Sequence, residues 1–134
     1  MALRAKVLEY AASVDRLGSI SAHGHEPVAL GAGIGPEHLV LAALVRCSIA
    51  SLRYHARRLG ADILGEGRAH GVVTKRASDL RYAFVEIHAA FEVEIEPVPE
   101  DLAALLAKAE RDCFVSASLT VEPVYSWTVN GSAV

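Results

Sequence analysis

The segment "GPEHLVLAALVRCSIASLRYHARRLG" (residues 35–60) decides the fold, because it predicts one long helix in the middle of the chain. Pro36 and Glu37 suit the first turn of a helix, where a missing backbone N–H costs nothing and a carboxylate complements the helix dipole. Gly60 is a typical residue just beyond a helix C-terminus. Apolar side chains surround the helix over residues 39–50, so we expect it to be buried on most of its faces.

The segment "RYAFVEIHAAFEVEI" (residues 81–95) alternates in hydropathy with a period of two. Apolar residues take every odd position from Ala83 to Ile95, which predicts a long, half-buried strand. Residues 63–76 are the expected antiparallel neighbour, with "RASDL" as the turn between them. A second helix is predicted within "PVPEDLAALLAKAERD" (97–112), which has prolines and acids at its start and leucines along one face.

Shorter strands are predicted towards the ends of the chain. They are expected in 3–10 and 17–30, with turns at "RLGS" and "HGHEP", then at "VSASLTVE" (115–122) and around "YSWTV" (125–129). The element order predicts an α+β fold, a single domain over 1–134 in which an antiparallel sheet packs on a buried central helix. Because so small a domain cannot cover a helix that is apolar on most sides, we expect a partner chain in a twofold homodimer.

The bulk composition bounds the class of protein. The chain has 134 residues, 52% hydrophobic and 22% charged, with a formal net charge of −3, which argues against disorder and against a nucleic-acid partner. The N-terminal "MALRAKVLEYAASVD" has no long apolar core, so we expect no signal peptide. The longest apolar run, "HLVLAALV", is too short to span a bilayer, so no membrane partner is expected. Two cysteines without an export signal favour a cytoplasmic protein.

Three weaker motifs are better explained by ordinary structure than by a binding site. The glycine-rich "GAGIGPE" lacks the G-x-G-x-x-G spacing and a following Lys-Ser/Thr, so a turn is favoured over a phosphate-binding loop. His23 and His25 in "AHGHE" could ligate a metal, but H-x-H alone is unspecific and no second cluster has metal-site spacing. The basic "RYHARR" suits the C-terminal end of a helix dipole. We therefore expect neither a metal site nor a bound cofactor.

The two cysteines leave three interpretations open: core residues, a structural disulfide or a reacting pair. On a helix Cys47 shares a face with Ala43 and Ala50, so it should point into packing, and taken alone it is best explained as a core residue. It lies far from the N-terminal dipole, and Arg46 projects about 100° away around the helix. A reactive Cys47 therefore needs an activating group from tertiary or dimer contacts. Cys113 follows the second helix, a position better suited to a resolving thiol than to first attack.

Two motifs resemble those of a known family. The run "GPEHLVLAALVRC" (35–47) resembles the run rich in glycine, proline, glutamate, leucine and alanine that opens the central helix of the OsmC/Ohr family and ends in cysteine. The run "AERDCFVSASL" (109–119) is similar to that family's second motif, a cysteine followed by x-V-S directly after a helix. The resemblance implies an intertwined α+β homodimer with sheets wrapped around two central helices.

The resemblance also implies a thiol-dependent peroxidase that reduces organic hydroperoxides. Cys47 would be the attacking thiolate and would be oxidised to a sulfenic acid, and Cys113 would condense with it to a disulfide. An external dithiol, of the lipoyl type in the family, would then reduce this disulfide. The alternative is a non-peroxidatic OsmC-like protein that binds a small apolar ligand at the dimer interface.

Two further residues are implied as parts of the site. Glu37 matches the family's active-site glutamate, ten residues before the cysteine. At about 1.5 Å per residue the two lie roughly 15 Å apart along one helix, so they serve one site only if the glutamate comes from the other chain or acts through an intermediary. Arg16 in "VDRLGS" is the candidate for the arginine that activates the thiolate. Arg46 is a departure, because the family usually has a small residue before the cysteine.

Overall fold

The computed structural model describes residues 5–134 and divides into an N-terminal unit, Met1–Gly35, and a larger unit, Pro36–Val134. The N-terminal unit contains a two-stranded antiparallel sheet of β1 (Ala12–Val14) and β2 (Ile20–Ala22). The larger unit contains three helices and a four-stranded sheet. The single domain expected over the whole chain stays a prediction.

The predicted turns of the N-terminal unit are confirmed, but its strands are shorter than expected. The Asp15 carboxylate accepts hydrogen bonds from the backbone N–H groups of Leu17 and Ser19, and Gly18 adopts a φ of +85° that a glycine tolerates. The strand expected over 3–10 is wrong where it is described, because residues 5–10 have no regular structure and β1 pairs only with β2.

The central helix α1 spans Pro36–Arg58, as predicted. Its end is a hydrogen-bonded cap in which Gly60 has a φ of +77°. The N–H of Gly60 donates to the Arg57 carbonyl at 3.0 Å, and the N–H of Ala61 donates to the Ala56 carbonyl at 2.9 Å. These two bonds are those of a Schellman motif, so the glycine ends the helix for the reason that the sequence indicated.

The burial of α1 differs from the expectation. Within this chain only one stripe of the helix is buried: Leu44, Ser48, Leu52 and Ala56. Contacts with the sheet and with the second helix cover that stripe, while the face with Ala43 and Ala50 stays exposed. Among the described residues α1 is the one helix long and apolar enough to cross a membrane, a test that the core helix of a water-soluble protein also passes.

The sheet has the order β3 (Asp62–Lys75), β4 (Tyr82–Glu96), β5 (Val124–Val129) and β6 (Ser132–Ala133). The predicted hairpin is confirmed, because β3 and β4 pair antiparallel around the "RASDL" turn. The expected all-antiparallel sheet is wrong, because β4 and β5 are parallel. Helices lie between these two strands in the chain, and such a crossover brings the second strand in along the direction of the first.

Strand β4 supplies much of the core through the alternation seen in the sequence. Its buried residues are Ile87, Ala89, Phe91, Val93 and Ile95. The alternation fails at the start of the strand, where a bulge opposite Val72 and Val73 leaves Val85 without a partner in the ladder. Phe84 therefore packs against the core and Val85 is 41% exposed, the reverse of the prediction.

The second helix, α2, spans Leu102–Arg111 and is confirmed. The Asp101 carboxylate caps it by accepting a hydrogen bond from the backbone N–H of Ala104 at 3.0 Å. The strand predicted over 115–122 is wrong, because Phe114–Ser118 forms a short helix, α3. The backbone here forms local helical hydrogen bonds instead, since the N–H of Ala117 donates to the Cys113 carbonyl at 3.0 Å.

Candidate functional site

Cys47 lies at the edge of the buried stripe of α1 and is half-buried. It lines an apolar pocket of about 360 Å³ between α1 and the start of α3. The other residues that line this pocket are Ala50, Ser51, Tyr54, His55, Asp112 and Phe114. The Cys47 side chain therefore contacts the core on one side and a solvent-accessible pocket on the other. A cysteine that served only to fill the core would not need access to such a pocket.

Cys113 is fully buried, with none of its surface exposed. It stands between α2 and α3, directly before the first residue of α3, and its carbonyl accepts a hydrogen bond from the N–H of Ala117 at 3.0 Å. Both cysteines are free thiols in this structure. Helices α1 and α3 are in contact, and the Cys113 thiol lies close enough to Cys47 to act on its ionisation.

Burial raises the pKa of the Cys47 thiol above its ordinary value. The backbone N–H groups of Val115 and Phe114 act in the opposite direction, because they stabilise a negative sulfur and lower the pKa. The neighbouring Cys113 thiol raises the pKa further, and the net effect is a protonated Cys47. The groups in this unit therefore do not by themselves generate a thiolate.

A hydrogen-bonded chain links Cys113 to the sheet. The Ser48 hydroxyl donates to Cys113 Sγ at 3.4 Å and lies 2.9 Å from the Tyr125 hydroxyl. Cys113 Sγ itself is 4.0 Å from the Leu44 carbonyl, to which a thiol can donate. Burial raises the pKa of Tyr125 to about 12, so its hydroxyl keeps its proton. Sequence reasoning missed Ser48 and Tyr125; the signal for Ser48 was a polar residue one turn from Leu44 on the buried stripe of an apolar helix.

Tyr125 is held by a stack of aromatic rings. The Tyr125 and Trp127 rings are 6.0 Å apart at an interplanar angle of 6°, and Phe91 stacks on Trp127 with centroids 4.4 Å apart. The Trp127 indole N–H donates to the Glu110 carboxylate at 3.0 Å, which ties the stack to α2. The hydroxyl of Tyr125 is therefore fixed in the direction of Ser48.

A hydrogen bond between side chains joins α1 to the residue before Cys113. His55 Nε2 lies 2.8 Å from Asp112 Oδ2, and Arg111 Nε lies 3.0 Å from Asp112 Oδ1. The pKa of the Asp112 carboxyl is lowered, by its hydrogen bond to Arg111 first and by His55 second. Sequence reasoning missed this pair, because nothing in the linear order of His55 and Asp112 indicates that they meet.

The remaining predicted residues lie elsewhere. Glu37 is exposed in the first turn of α1, on the same continuous helix as Cys47 and about 15 Å along it. Arg16 is exposed in the turn between β1 and β2 of the N-terminal unit. Among residues 5–134 no three His, Cys, Asp or Glu side chains form a group that could hold a metal ion, and His23 and His25 are exposed.

A larger groove runs between α1 and β3, with a volume of about 750 Å³. Its apolar wall on the helix is formed by Leu41, Val45 and Ile49, and Arg46 lies beside them. Gly67 on β3 lets the helix approach, because a Cβ there would lie 2.7 Å from a ring carbon of Phe91 and 3.0 Å from Val45.

A family model described as "OsmC-like protein" matches residues 29–128, three quarters of the chain, including both cysteines. The chain belongs to the OsmC family. The resemblance to the OsmC/Ohr family seen in the two motifs is thereby confirmed, as is the α+β class of the fold. A search of curated protein sequences finds no match.

Solved structures of the family share this fold. An OsmC-like protein of unknown function from Vibrio cholerae is 15% identical, with a TM-score of 0.77 and coverage of 91% of this chain and 100% of the other. An OsmC-like protein from Mycoplasma pneumoniae is 16% identical, with a TM-score of 0.69 and coverage of 92% and 97%. The organic hydroperoxide resistance protein OhrB of Bacillus subtilis is 19% identical, with a TM-score of 0.58 and coverage of 90% and 96%. At these identities the likeness establishes the fold.

Proposed function

We propose that this OsmC-like protein is a thiol-dependent peroxidase that reduces organic hydroperoxides through Cys47 and Cys113. It works as a cytoplasmic homodimer, without a bound cofactor, metal, nucleic acid or membrane, and an external dithiol of the lipoyl type restores the thiols. The observation that carries the proposal is the pairing of a half-buried thiol at an apolar pocket with a second, fully buried thiol beside it. A name given to the Bacillus subtilis relative, organic hydroperoxide resistance protein, points to the same chemistry.

The reaction is written in three balanced steps. The Cys47 thiolate attacks the terminal oxygen of the hydroperoxide, the O–O bond breaks, and the alkoxide takes a proton and leaves as an alcohol, so that Cys47 becomes a sulfenic acid. The Cys113 sulfur then attacks Cys47, an S–S bond forms, and hydroxide leaves with the Cys113 proton as water. Finally a dithiol reduces the disulfide and is itself oxidised to a cyclic disulfide.

The first step needs an activating group, because burial holds Cys47 in its protonated form. Arg16 is the proposed source of positive charge, since a guanidinium beside a thiol favours the thiolate. Glu37 is proposed to act from the partner chain, because it cannot reach Cys47 along its own helix. The site is therefore complete only in a dimer.

The exposed side of α1 supports the dimer. Of the 23 residues of this helix only four are buried within the chain, although 13 are hydrophobic. Ala43 and Ala50 beside Cys47, and the groove wall of Leu41, Val45 and Ile49 on the other side of Arg46, offer apolar surface on α1. We propose that α1 of a second copy covers this surface, because burial of an apolar helix face is favourable and a twofold axis lets both copies use the same patch.

Turnover of cumene hydroperoxide or tert-butyl hydroperoxide, with dithiothreitol or dihydrolipoamide as the reductant, tests the proposal. Cys47→Ser is expected to abolish turnover, and Cys113→Ser is expected to leave Cys47 as a sulfenic acid that dimedone traps. Equal rates in the wild type and in both variants would end the peroxidase proposal.

A second candidate function is binding of a small apolar ligand at the dimer interface. The raised pKa of Cys47 and the size of the groove between α1 and β3 favour it. Under this alternative the wild type does not consume hydroperoxide, and an apolar fluorescent probe binds equally well to the wild type and to Cys47→Ser.

A further inference from the structure

The buried chain of hydroxyl groups behind Cys113 has no part in the three steps above. Ser48 has none of its surface exposed, and a buried hydroxyl is retained at a cost unless it is hydrogen-bonded. Its two partners are Cys113 Sγ at 3.4 Å and the Tyr125 hydroxyl at 2.9 Å. Both lie on the side of α1 that faces the core, so the chain points at the second thiol of the pair.

The donors and acceptors in the chain from Tyr125 through Ser48 to Cys113 follow from the hydroxyl hydrogens that each residue has to donate. Ser48 has one hydroxyl hydrogen, so when it donates to Cys113 Sγ its oxygen must accept from Tyr125. Tyr125 remains a donor, because burial raises its pKa to about 12. The ring stack with Trp127 holds Tyr125 in place, with centroids 6.0 Å apart.

We infer that Ser48 is a catalytic residue of the resolving step, donating to the sulfur of Cys113 as it attacks oxidised Cys47, and that Tyr125 is the positioning residue that orients Ser48. This inference rests on the proposed function. Negative charge develops on the Cys113 sulfur as it gives up its proton to become the attacking thiolate, and a donor already aimed at that atom stabilises the charge. The S–S bond then forms, and the hydroxide that leaves Cys47 takes up the proton as water. The Leu44 carbonyl is the other hydrogen-bond partner of the Cys113 sulfur, because it accepts a hydrogen bond from the thiol before the reaction.

The effect is confined to one step. Cys47 is oxidised by attack on the hydroperoxide, and Ser48, though its neighbour in sequence, projects about 100° away around the helix. Removal of the Ser48 hydroxyl is therefore expected to slow disulfide formation about tenfold, the effect of one hydrogen bond to a charged group. The rate of Cys47 oxidation stays unchanged. Tyr125→Phe leaves the serine in place and is expected to slow the same step by a smaller factor.

Rapid mixing with one equivalent of cumene hydroperoxide tests the inference in the wild type, Ser48→Ala and Tyr125→Phe. Ser126→Ala, an exposed serine next to Tyr125 on β5, is the matched control. We expect dimedone-trapped sulfenic acid to accumulate in Ser48→Ala and, less, in Tyr125→Phe, at wild-type rates of Cys47 oxidation. Disulfide formation in Ser48→Ala at the wild-type rate, or an equal loss in both steps together with a lower melting temperature, would overturn it.

A second measurement separates this inference from the proposed function. Cys47 is converted to a mixed disulfide with thionitrobenzoate, and attack by Cys113 forms the protein disulfide and releases the coloured thionitrobenzoate anion. No hydroperoxide takes part, so a wild type that is inert to hydroperoxide would defeat the proposed function and leave this release measurable. Release about tenfold slower in Ser48→Ala than in Ser126→Ala supports the role of Ser48, and equal release rules it out.

Discussion

His55 Nε2 lies 2.8 Å from Asp112 Oδ2, and this contact fixes the end of α2 against α1 directly before Cys113. Both residues also line the pocket that Cys47 enters. The position of Cys113 relative to Cys47 therefore depends on a pair of side chains that carries no part of the proposed redox chemistry. The contribution of this pair to stability can be measured by varying the pH, because Asp112 is a carboxylate with a lowered pKa.

Asp112→Asn is expected to lower the urea midpoint of unfolding at about pH 7, and the difference from the wild type is expected to shrink progressively as the pH falls below the ordinary carboxyl pKa of about 3.9. The pKa of Asp112 is lowered in the folded protein by Arg111 and His55, so the unfolded chain binds a proton first. The stabilisation is fully present above the ordinary carboxyl pKa and is lost as the pH falls through the folded value. A difference that is independent of pH would contradict this assignment. Glu96→Gln, an exposed carboxylate at the end of β4, is the control.

Gly67→Ala is expected to reduce the free energy of unfolding by about 1–3 kcal/mol, the usual cost of overpacking a core. The new Cβ would lie 2.7 Å from Phe91, a ring that cannot retreat because it stacks on Trp127 at 4.4 Å. Gly33→Ala is the matched control, since a Cβ there meets nothing within 4 Å. Urea denaturation measures both. Equal stability of the two variants would show that Phe91 and Val45 can move aside for a Cβ at this position.

The central part of the fold was predictable because its signals are local. Pro36 and Gly60 mark the two ends of α1, and the alternation from Ile87 to Ile95 assigns the inward face of β4 without any knowledge of its neighbours. The errors arose where the outcome depends on distant partners. The bulge at Val85 is set by register with β3, and the parallel direction of β5 is set by the helical crossover before it.

The candidate site divides in the same way. Cys47 and Cys113 were identified through two motifs, each of which is contiguous in the sequence. Ser48 and Tyr125 were missed, because their hydrogen bond joins a helix to a strand at the far end of the chain. Arg16 belongs to the N-terminal unit, outside both motifs and outside the larger unit that holds the cysteines. Its role therefore stays a prediction.

Arg16→Ala is expected to shift the pH dependence of Cys47 alkylation to higher pH. Burial raises the pKa of Cys47 more than the backbone N–H groups of Val115 and Phe114 lower it, and the proposed guanidinium would lower it further. Removal of the guanidinium therefore raises the pKa. Iodoacetamide labelling in a Cys113→Ser background, followed by mass spectrometry across a pH series, measures the shift at one thiol. Arg57→Ala, exposed in the last turn of α1, is the control. Superimposable profiles for Arg16→Ala and Arg57→Ala would remove Arg16 from the site.

Ala43→Glu is expected to convert the proposed homodimer into a monomer. Ala43 is exposed on the side of α1 that the chain itself leaves open, so a carboxylate there is tolerated by the protomer but is desolvated when a second apolar helix covers it. Sedimentation velocity measures the association state, and circular dichroism checks that the protomer stays folded. Peroxidase turnover is expected to fall with the dimer, since Glu37 is proposed to act across the interface. Ala107→Glu, exposed on α2, carries the same change of charge on another surface and should remain dimeric. A folded, monomeric Ala43→Glu with full turnover would show that one chain holds the whole site.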